Sequence, residues 1–92
     1  MLDAKQAFQF AKQLAAGMLG DRPFRLEEIE RDSYKGQEIW RVTLGYPRDK
    51  GLGDAVSAMR VLTIGPFEYK LFLIDATTGD LVAMKLREPS LQ

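Results

Sequence analysis

The sequence contains no cysteine and no histidine. Without cysteine the chain has no disulfide, no thiolate zinc site and no thiol nucleophile. Without histidine it lacks the commonest general base and the commonest metal ligand, which excludes Ser–His–Asp and Cys–His catalysis. These two absences lead us to expect a protein that is not an enzyme and that holds no metal or cofactor.

An excess of one charge and long apolar runs are missing as well. The 13 basic and 13 acidic residues cancel, whereas domains that bind phosphate backbones usually carry a positive excess. No apolar run approaches the roughly 20 residues of a membrane span, and no basic segment followed by an apolar one marks a secretory signal. We therefore expect a cytoplasmic protein with no nucleic-acid partner and no membrane partner.

The composition is that of one small globular domain over residues 1–92. Hydrophobic residues make up 46% and charged residues 28% of the chain, which are ordinary values for folded domains. A chain of this length has room for one helix packed on one sheet and little room for a deep cleft besides.

Residues Leu2 to Leu19 have the spacing of an amphipathic helix. At about 100° per residue, the polar side chains fall on one side of the helix. Asp3 can accept the free N–H groups of the first turn, and Gly17 or Gly20 can end the helix in a left-handed conformation. The apolar side is rich in alanine and carries Ala4, Ala7, Phe8, Phe10, Ala11, Leu14, Ala15 and Met18.

A first hairpin is predicted after the helix. Arg25–Arg31 reads as a weak strand, because Leu26 and Ile29 are three residues apart and strict alternation fails. A bulge would reconcile this spacing, and so would an edge position, where many charges protect against stray pairing. Turn chemistry over Asp32–Gln37 leads into a regular strand over Glu38–Tyr46. The acidic residues of this region are interpreted as the solvated charges of an edge strand. They are Glu27, Glu28, Glu30 and Asp32.

The segment YKLFLIDATTGDLVAMKLRE predicts a second hairpin with its turn at Asp75–Asp80. Alternation along the two arms assigns five side chains to a core beneath the helix: Phe72, Ile74, Val82, Met84 and Leu86. The first arm is apolar on its other face too. A second apolar patch is therefore predicted there, as a candidate protein-interaction face made of Leu71, Leu73, Leu81, Ala83 and Ile39.

Two covers for this second patch remain open. The insert between the hairpins, Pro47–Pro66, can fold over it with Val56, Met59 and Leu62. Alternatively a second protein chain can cover it, and a sheet-to-sheet homodimer is the simplest form because one patch then serves both subunits. Within the insert, Asp54–Leu62 fits a short helix or a strand, and we favour the helix.

The order of helix, strand, strand, insert, strand, strand predicts an α+β fold. In such a fold one long N-terminal helix packs on an antiparallel sheet of about four strands.

Residues Asp75, Thr78, Gly79 and Asp80 complete a pattern that resembles the PepSY-like small domains. Those domains carry an Asp-x-x-Thr-Gly-acidic turn between their last two strands, and the likeness is strongest over Tyr69–Arg87. The resemblance implies a helix packed on an antiparallel sheet. It also implies a binding or inhibitory module that is not a catalyst, and related small α+β domains occur among bacterial immunity proteins.

The function predicted from all this is a small non-catalytic module that binds or inhibits another protein, with an immunity or antidote protein as one form. The alternative is a regulatory domain that binds a small ligand or nucleotide, with residues 47–66 as a lid over the sheet.

Overall fold

A computed structural model describes residues 1–47 and 67–87 of the chain. One helix is followed by four strands, which form a single antiparallel sheet in the order β1-β2-β3-β4. The predicted α+β fold is therefore confirmed. The elements are α1 (Ala4–Leu19), β1 (Arg25–Tyr34), β2 (Gln37–Pro47), β3 (Phe67–Asp75) and β4 (Leu81–Arg87). Two predictions concern residues outside the described ranges. They are the short helix at Asp54–Leu62 and the role of residues 47–66 as a lid or cover, a segment of which only Pro47 is described.

The helix begins and ends where the sequence predicts. The Asp3 carboxylate accepts the Gln6 N–H at 2.8 Å, and the Gln6 side chain accepts the Asp3 N–H at 2.9 Å. This reciprocal capping box satisfies N–H groups that have no partner inside the helix. Gly20 ends the helix with φ at 85°, and its N–H donates to the carbonyl of Ala16.

Three alanines form the centre of the helix–sheet contact. Ala7, Ala11 and Ala15 recur every four residues, lie on one face of α1, and are completely buried. Because their side chains are short, the helix backbone can approach the sheet closely. The sheet residues of the same core are Val42, Leu44, Phe72 and Ile74, all buried.

Hydrogen bonds fix the start of the helix to one end of the sheet. The Leu2 N–H donates to the carbonyl of Ala76 at 2.7 Å, and the Trp40 indole N–H donates to the carbonyl of Leu2 at 3.0 Å. At the opposite end, the Phe24 and Tyr46 rings meet edge to face with their centres 5.5 Å apart. The start of the helix is therefore tied to the sheet, and the segment that follows the helix packs on the opposite end of β2.

The first hairpin is tighter than the sequence suggested. The turn narrows to Lys35 and Gly36, whose φ angles of 51° and 79° are both positive, as in two-residue hairpin turns. The bulge expected in β1 is confirmed, because the register shifts between Leu26 and Glu28. That extra residue brings Leu26 and Ile29 onto the same face of the sheet.

A second irregularity, between β3 and β4, changes which side chains face the helix. Leu73 pairs with Ala83 and Ile74 pairs with Leu81, so Val82 is the additional residue. Leu81 consequently packs with the core beneath α1, and Val82 packs on the opposite face. The alternation predicted for these two residues was wrong, because simple period-two spacing does not survive a bulge.

The predicted burial of Met84 and Leu86 was also wrong. They pair with Phe72 and Lys70 of β3, yet 40% of the Met84 surface and 56% of the Leu86 surface remain exposed. The helix contacts β1, β2 and β3. A helix about 10–12 Å wide cannot cover four strands spaced about 4.8 Å apart. Among the described residues, the helix side of β4 is therefore left exposed at Met84 and Leu86, while Leu81 packs with the core.

The turn between β3 and β4 is organised by one carboxylate. Asp75 accepts the backbone N–H groups of Thr77 at 2.7 Å and Thr78 at 2.8 Å, and its second oxygen accepts the Gln37 side-chain amide. The Thr78 N–H, followed by the Thr77 N–H and Gln37, holds the pKa of Asp75 below the usual range for aspartate.

We expect the Asp75→Asn variant to have a lower free energy of unfolding than the wild type at neutral pH, and this difference to decrease as the pH falls. A carboxyl with a lowered pKa in the folded state stabilises the fold above its unfolded-state pKa, and this contribution disappears as the pH falls through the folded-state value. Urea unfolding between pH 7 and pH 2 measures the difference between wild type and variant. The difference should shrink toward zero at the acid end, and a constant difference would contradict this account.

Gly79 combines a positive φ with a close neighbour. Its φ is 82°, and a Cβ added there would lie 2.9 Å from carbon atoms of the Phe10 ring. We expect Gly79→Ala to lower the free energy of unfolding by about 1–2 kcal/mol for the backbone and about 1 kcal/mol more for the contact. Gly36→Ala is the matched control, since its φ is 79° and nothing lies within 4 Å of the added carbon.

Urea denaturation of the two glycine variants separates these contributions. The excess loss at Gly79 should vanish when Phe10 is replaced by alanine. Equal losses at Gly79 and Gly36 in the wild-type background would show that the ring contact has no cost.

Candidate functional site

The candidate site lies on the second face of the sheet, which we define as the face turned away from α1. Ile39, Leu71 and Leu73 form its apolar cluster, with only 1%, 9% and 2% of their surfaces exposed. Tyr34, Val82 and Ala83 pack around them. These side chains are thus buried in one copy of the chain. The sequence predicted a patch here that is covered either by the insert or by a second chain, and the insert beyond Pro47 lies outside the described residues.

A pocket of about 90 Å³ opens over this cluster. Its floor is apolar, since Ile39, Leu71 and Leu73 are the buried members of the lining. Its rim is polar and aromatic, and comes from three strands. The rim residues are Asp32 and Tyr34 from β1, Arg41 from β2, and Lys85 from β4.

The two charged rim residues from the first hairpin hold each other in place. The Arg41 guanidinium donates to Asp32 at 3.0 Å and lies 3.8 Å from Glu30. The Ser33 backbone N–H, and secondly Arg41, lower the pKa of the Asp32 carboxyl. Asp32 is therefore an ionised hydrogen-bond acceptor that keeps the Arg41 side chain in position beside the pocket.

Lys85 is differently placed from Arg41. Its ammonium group lies 5.0 Å from the centre of the Tyr34 ring, and Lys35 approaches the same ring at 5.3 Å. These are cation–π distances. Within residues 1–47 and 67–87, no carboxylate forms an ion pair with Lys85. This side of the pocket therefore presents a positive charge that is not neutralised by an acidic group of the described chain.

Four of the five residues predicted for the interaction face are brought together. Ile39, Leu71, Leu73 and Ala83 belong to the same cluster on the second face. Leu81 does not, because the bulge at Val82 turns it toward the helix.

The polar rim was not predicted as part of the site. Alternation in β2 assigns Arg41 to the second face, but Asp32 and Tyr34 were assigned to a turn. Only the long β1–β2 pairing, which sets Asp32 opposite Ile39, carries them to the pocket. Lys85 follows from alternation in β4 alone and could have been found from the sequence.

Two observations limit what this site can hold. Among the described residues, no group of three or more acidic side chains is close enough to hold a metal ion. The pocket is also small, since sites for drug-sized molecules and cofactors occupy roughly 300–1,000 Å³. What the pocket can accept is one apolar side chain with a polar or charged group beside it.

Comparison with known proteins gives no relative for this chain. No protein-family model matches the sequence, and neither the curated proteins nor the solved structures include a significant match. The PepSY-like resemblance therefore stays a prediction. Within the described ranges, no helix has the length and apolar character required to cross a bilayer.

Leu73→Glu tests whether the second face is core or open surface. Because Leu73 is 2% exposed in a single copy, an unpaired carboxylate there should lower the free energy of unfolding by about 3–5 kcal/mol. Met84→Glu is the control on the neighbouring strand, and at 40% exposure it should cost less than about 1 kcal/mol. A folded, stable Leu73→Glu protein with half the wild-type mass would instead indicate a dimer seam.

Proposed function

We propose that this chain is a non-catalytic module that binds, and in doing so inhibits or neutralises, another protein. The pocket on the second face is the observation that supports this most. Binding energy at protein interfaces concentrates where an apolar or aromatic anchor enters a desolvated pocket ringed by polar contacts. Ile39, Leu71 and Leu73 offer such a floor, and Arg41 and Lys85 offer such a ring.

The charges of the rim favour a partner with an acidic group beside its apolar anchor. Arg41 is engaged by Asp32, while the Lys85 ammonium lies against the Tyr34 ring and forms no ion pair with a described carboxylate. A carboxylate from the partner would form an ion pair with the Lys85 ammonium. Complementary charges of this kind add specificity and speed association more than they add affinity.

The properties of the rim carboxylate support a non-catalytic role. A general acid or base works best with a pKa near the working pH. The hydrogen bonds from Ser33 and Arg41 instead lower the pKa of Asp32, further from neutral pH. The alternative of a small-ligand or nucleotide-binding regulator is less well supported, because the pocket is several times smaller than such ligands need.

The same proposal includes a kinship with PepSY-like modules and a cytoplasmic location. The kinship is supported by the order of the elements and by the turn at Asp75–Asp80, in which the aspartate accepts the N–H groups of the next two residues. The cytoplasmic location is supported only by the sequence features that predicted it.

The test is to identify a partner and locate its contact on the molecule. Tagged protein at native expression level should retain one partner in equimolar amount. In the purified complex, methyl resonances of Ile39, Leu71 and Leu73 should shift on binding, whereas those of Val42 and Leu44 beneath the helix should stay.

Two variants connect the contact to the pocket. Tyr34→Ala removes one wall of the pocket and should weaken the complex at least tenfold, while Gln13→Ala on the exposed side of the helix should leave it unchanged. Recovery of no equimolar partner, together with a monomeric mass by light scattering, would refute the proposed function.

A further inference from the structure

The two edges of the sheet differ in how they are protected. Both edge strands contain a bulge, so the difference between them is one of charge. In β1, six of the ten residues are charged, which is a common device against pairing with another strand. At the other edge, β4 pairs with β3 and with no other described strand. Of the seven residues of β4, only Lys85 and Arg87 are charged. Within residues 1–47 and 67–87, this second edge is therefore open to strand addition.

An exposed apolar strip adjoins the open edge. Met84 and Leu86 lie on the helix side of β4 and keep 40% and 56% of their surfaces exposed. The helix makes its main contacts with the other three strands, and the described residues leave this strip largely exposed. A free backbone edge beside exposed apolar side chains is the arrangement that β-strand addition uses, with main-chain bonds giving affinity and alternate side chains giving specificity.

We propose that β4 accepts an extended segment of another protein as a fifth strand, and that this segment alternates apolar with acidic residues. Its apolar side chains would lie beside Met84 and Leu86 on the helix side. Its acidic side chains would then point to the second face, opposite or diagonal to Lys85. This surface is separate from the interior of the pocket, so the inference does not require the pocket to bind anything.

The charge at the edge selects this occupant over a cationic one. Lys85 is exposed, and its described neighbour is the Tyr34 ring, with no described carboxylate in an ion pair. Opposite charges facing each other across two strands stabilise the pair, and like charges destabilise it. A segment with lysine in place of the acidic residues would therefore meet Lys85 unfavourably.

A second copy of the chain fits the edge less well. If two β4 strands pair antiparallel so that Met84 lies opposite Leu86 of the other copy, then the two Lys85 residues lie opposite each other. If the two Met84 residues lie opposite each other instead, Leu86 of each copy is paired with Val82 of the other. The bulge has turned the Val82 side chain to the opposite face. Neither register joins the apolar strips without a conflict, whereas an alternating acidic segment avoids both.

Synthetic peptides test the inference directly. The probe is a capped, fluorescein-labelled peptide of seven residues, the length of β4, in which valine alternates with glutamate. One control replaces each glutamate with lysine, and another replaces the central valine with proline, which removes a backbone donor. Fluorescence anisotropy against the full chain should give at least tenfold tighter binding for the glutamate peptide than for either control.

Charge reversal on the protein provides the matched control. Lys85→Glu should invert the preference, so that the lysine peptide becomes the tighter ligand. Met84→Ser should weaken the glutamate peptide at least tenfold, and Lys5→Glu on the exposed side of the helix should change nothing.

The Tyr34→Ala variant distinguishes this surface from the pocket. It should still bind the glutamate peptide, and bind it more tightly than the control peptide that contains proline. Equal affinity for the glutamate and lysine peptides, or no binding of either, would overturn the inference. A dimeric mass by light scattering for the peptide-free chain, reduced to a monomeric mass by Met84→Ser, would also overturn the inference. Such a result would mean that a second copy occupies this edge.

Discussion

A single helix is only about half as wide as a sheet of four strands. In this protein the helix lies over β1, β2 and β3, where its alanine face meets the buried side chains of the two central strands. Everything beyond that footprint must be covered in another way or remain exposed. Among the described residues, Met84 and Leu86 on the helix side of β4 stay largely exposed, and the apolar residues of the second face pack with other side chains of the sheet.

The second face meets this demand with its own small core. Ile39, Leu71 and Leu73 are buried there by the packing of neighbouring side chains, including an aromatic ring from β1. The burial is incomplete, because a pocket of about 90 Å³ remains above the cluster. The domain thus has a continuous core on one face and a shallower one, with an opening, on the other.

Two bulges decide how side chains are distributed between these faces. The bulge in β1 brings Leu26 and Ile29 to the helix side despite their odd spacing. The bulge in β4 sends Leu81 to the helix side and Val82 to the second face. Each inserts one residue into a strand and reverses the alternation beyond it. The edge strands, where bulges are tolerated, therefore determine which residues the sites contain.

The pocket and the open edge share one strand, and Lys85 belongs to both. Its side chain forms part of the rim of the pocket, and its position in β4 lies on the free edge of the sheet. An acidic group on a partner would be favourable at either surface for the same electrostatic reason. The two proposals nevertheless concern different contacts, since the pocket receives a side chain and the edge receives a backbone.

The sequence by itself determined the elements and their order. Helical spacing, the Asp3 cap and the turn residues around Gly36 and Gly79 are local properties, so the helix and both hairpins could be recognised without a structure. It also determined that Ile39, Leu71 and Leu73 share one face, because regular strands alternate strictly.

Only the tertiary structure decided which apolar side chains are buried and what surrounds the pocket. The exposure of Met84 and Leu86 follows from where one narrow helix rests on a wider sheet, and alternation within a strand carries no information on that. Asp32 and Tyr34 reach the pocket through the register of β1 against β2. Register and coverage depend on contacts between distant parts of the chain, and for that physical reason local patterns could not determine them.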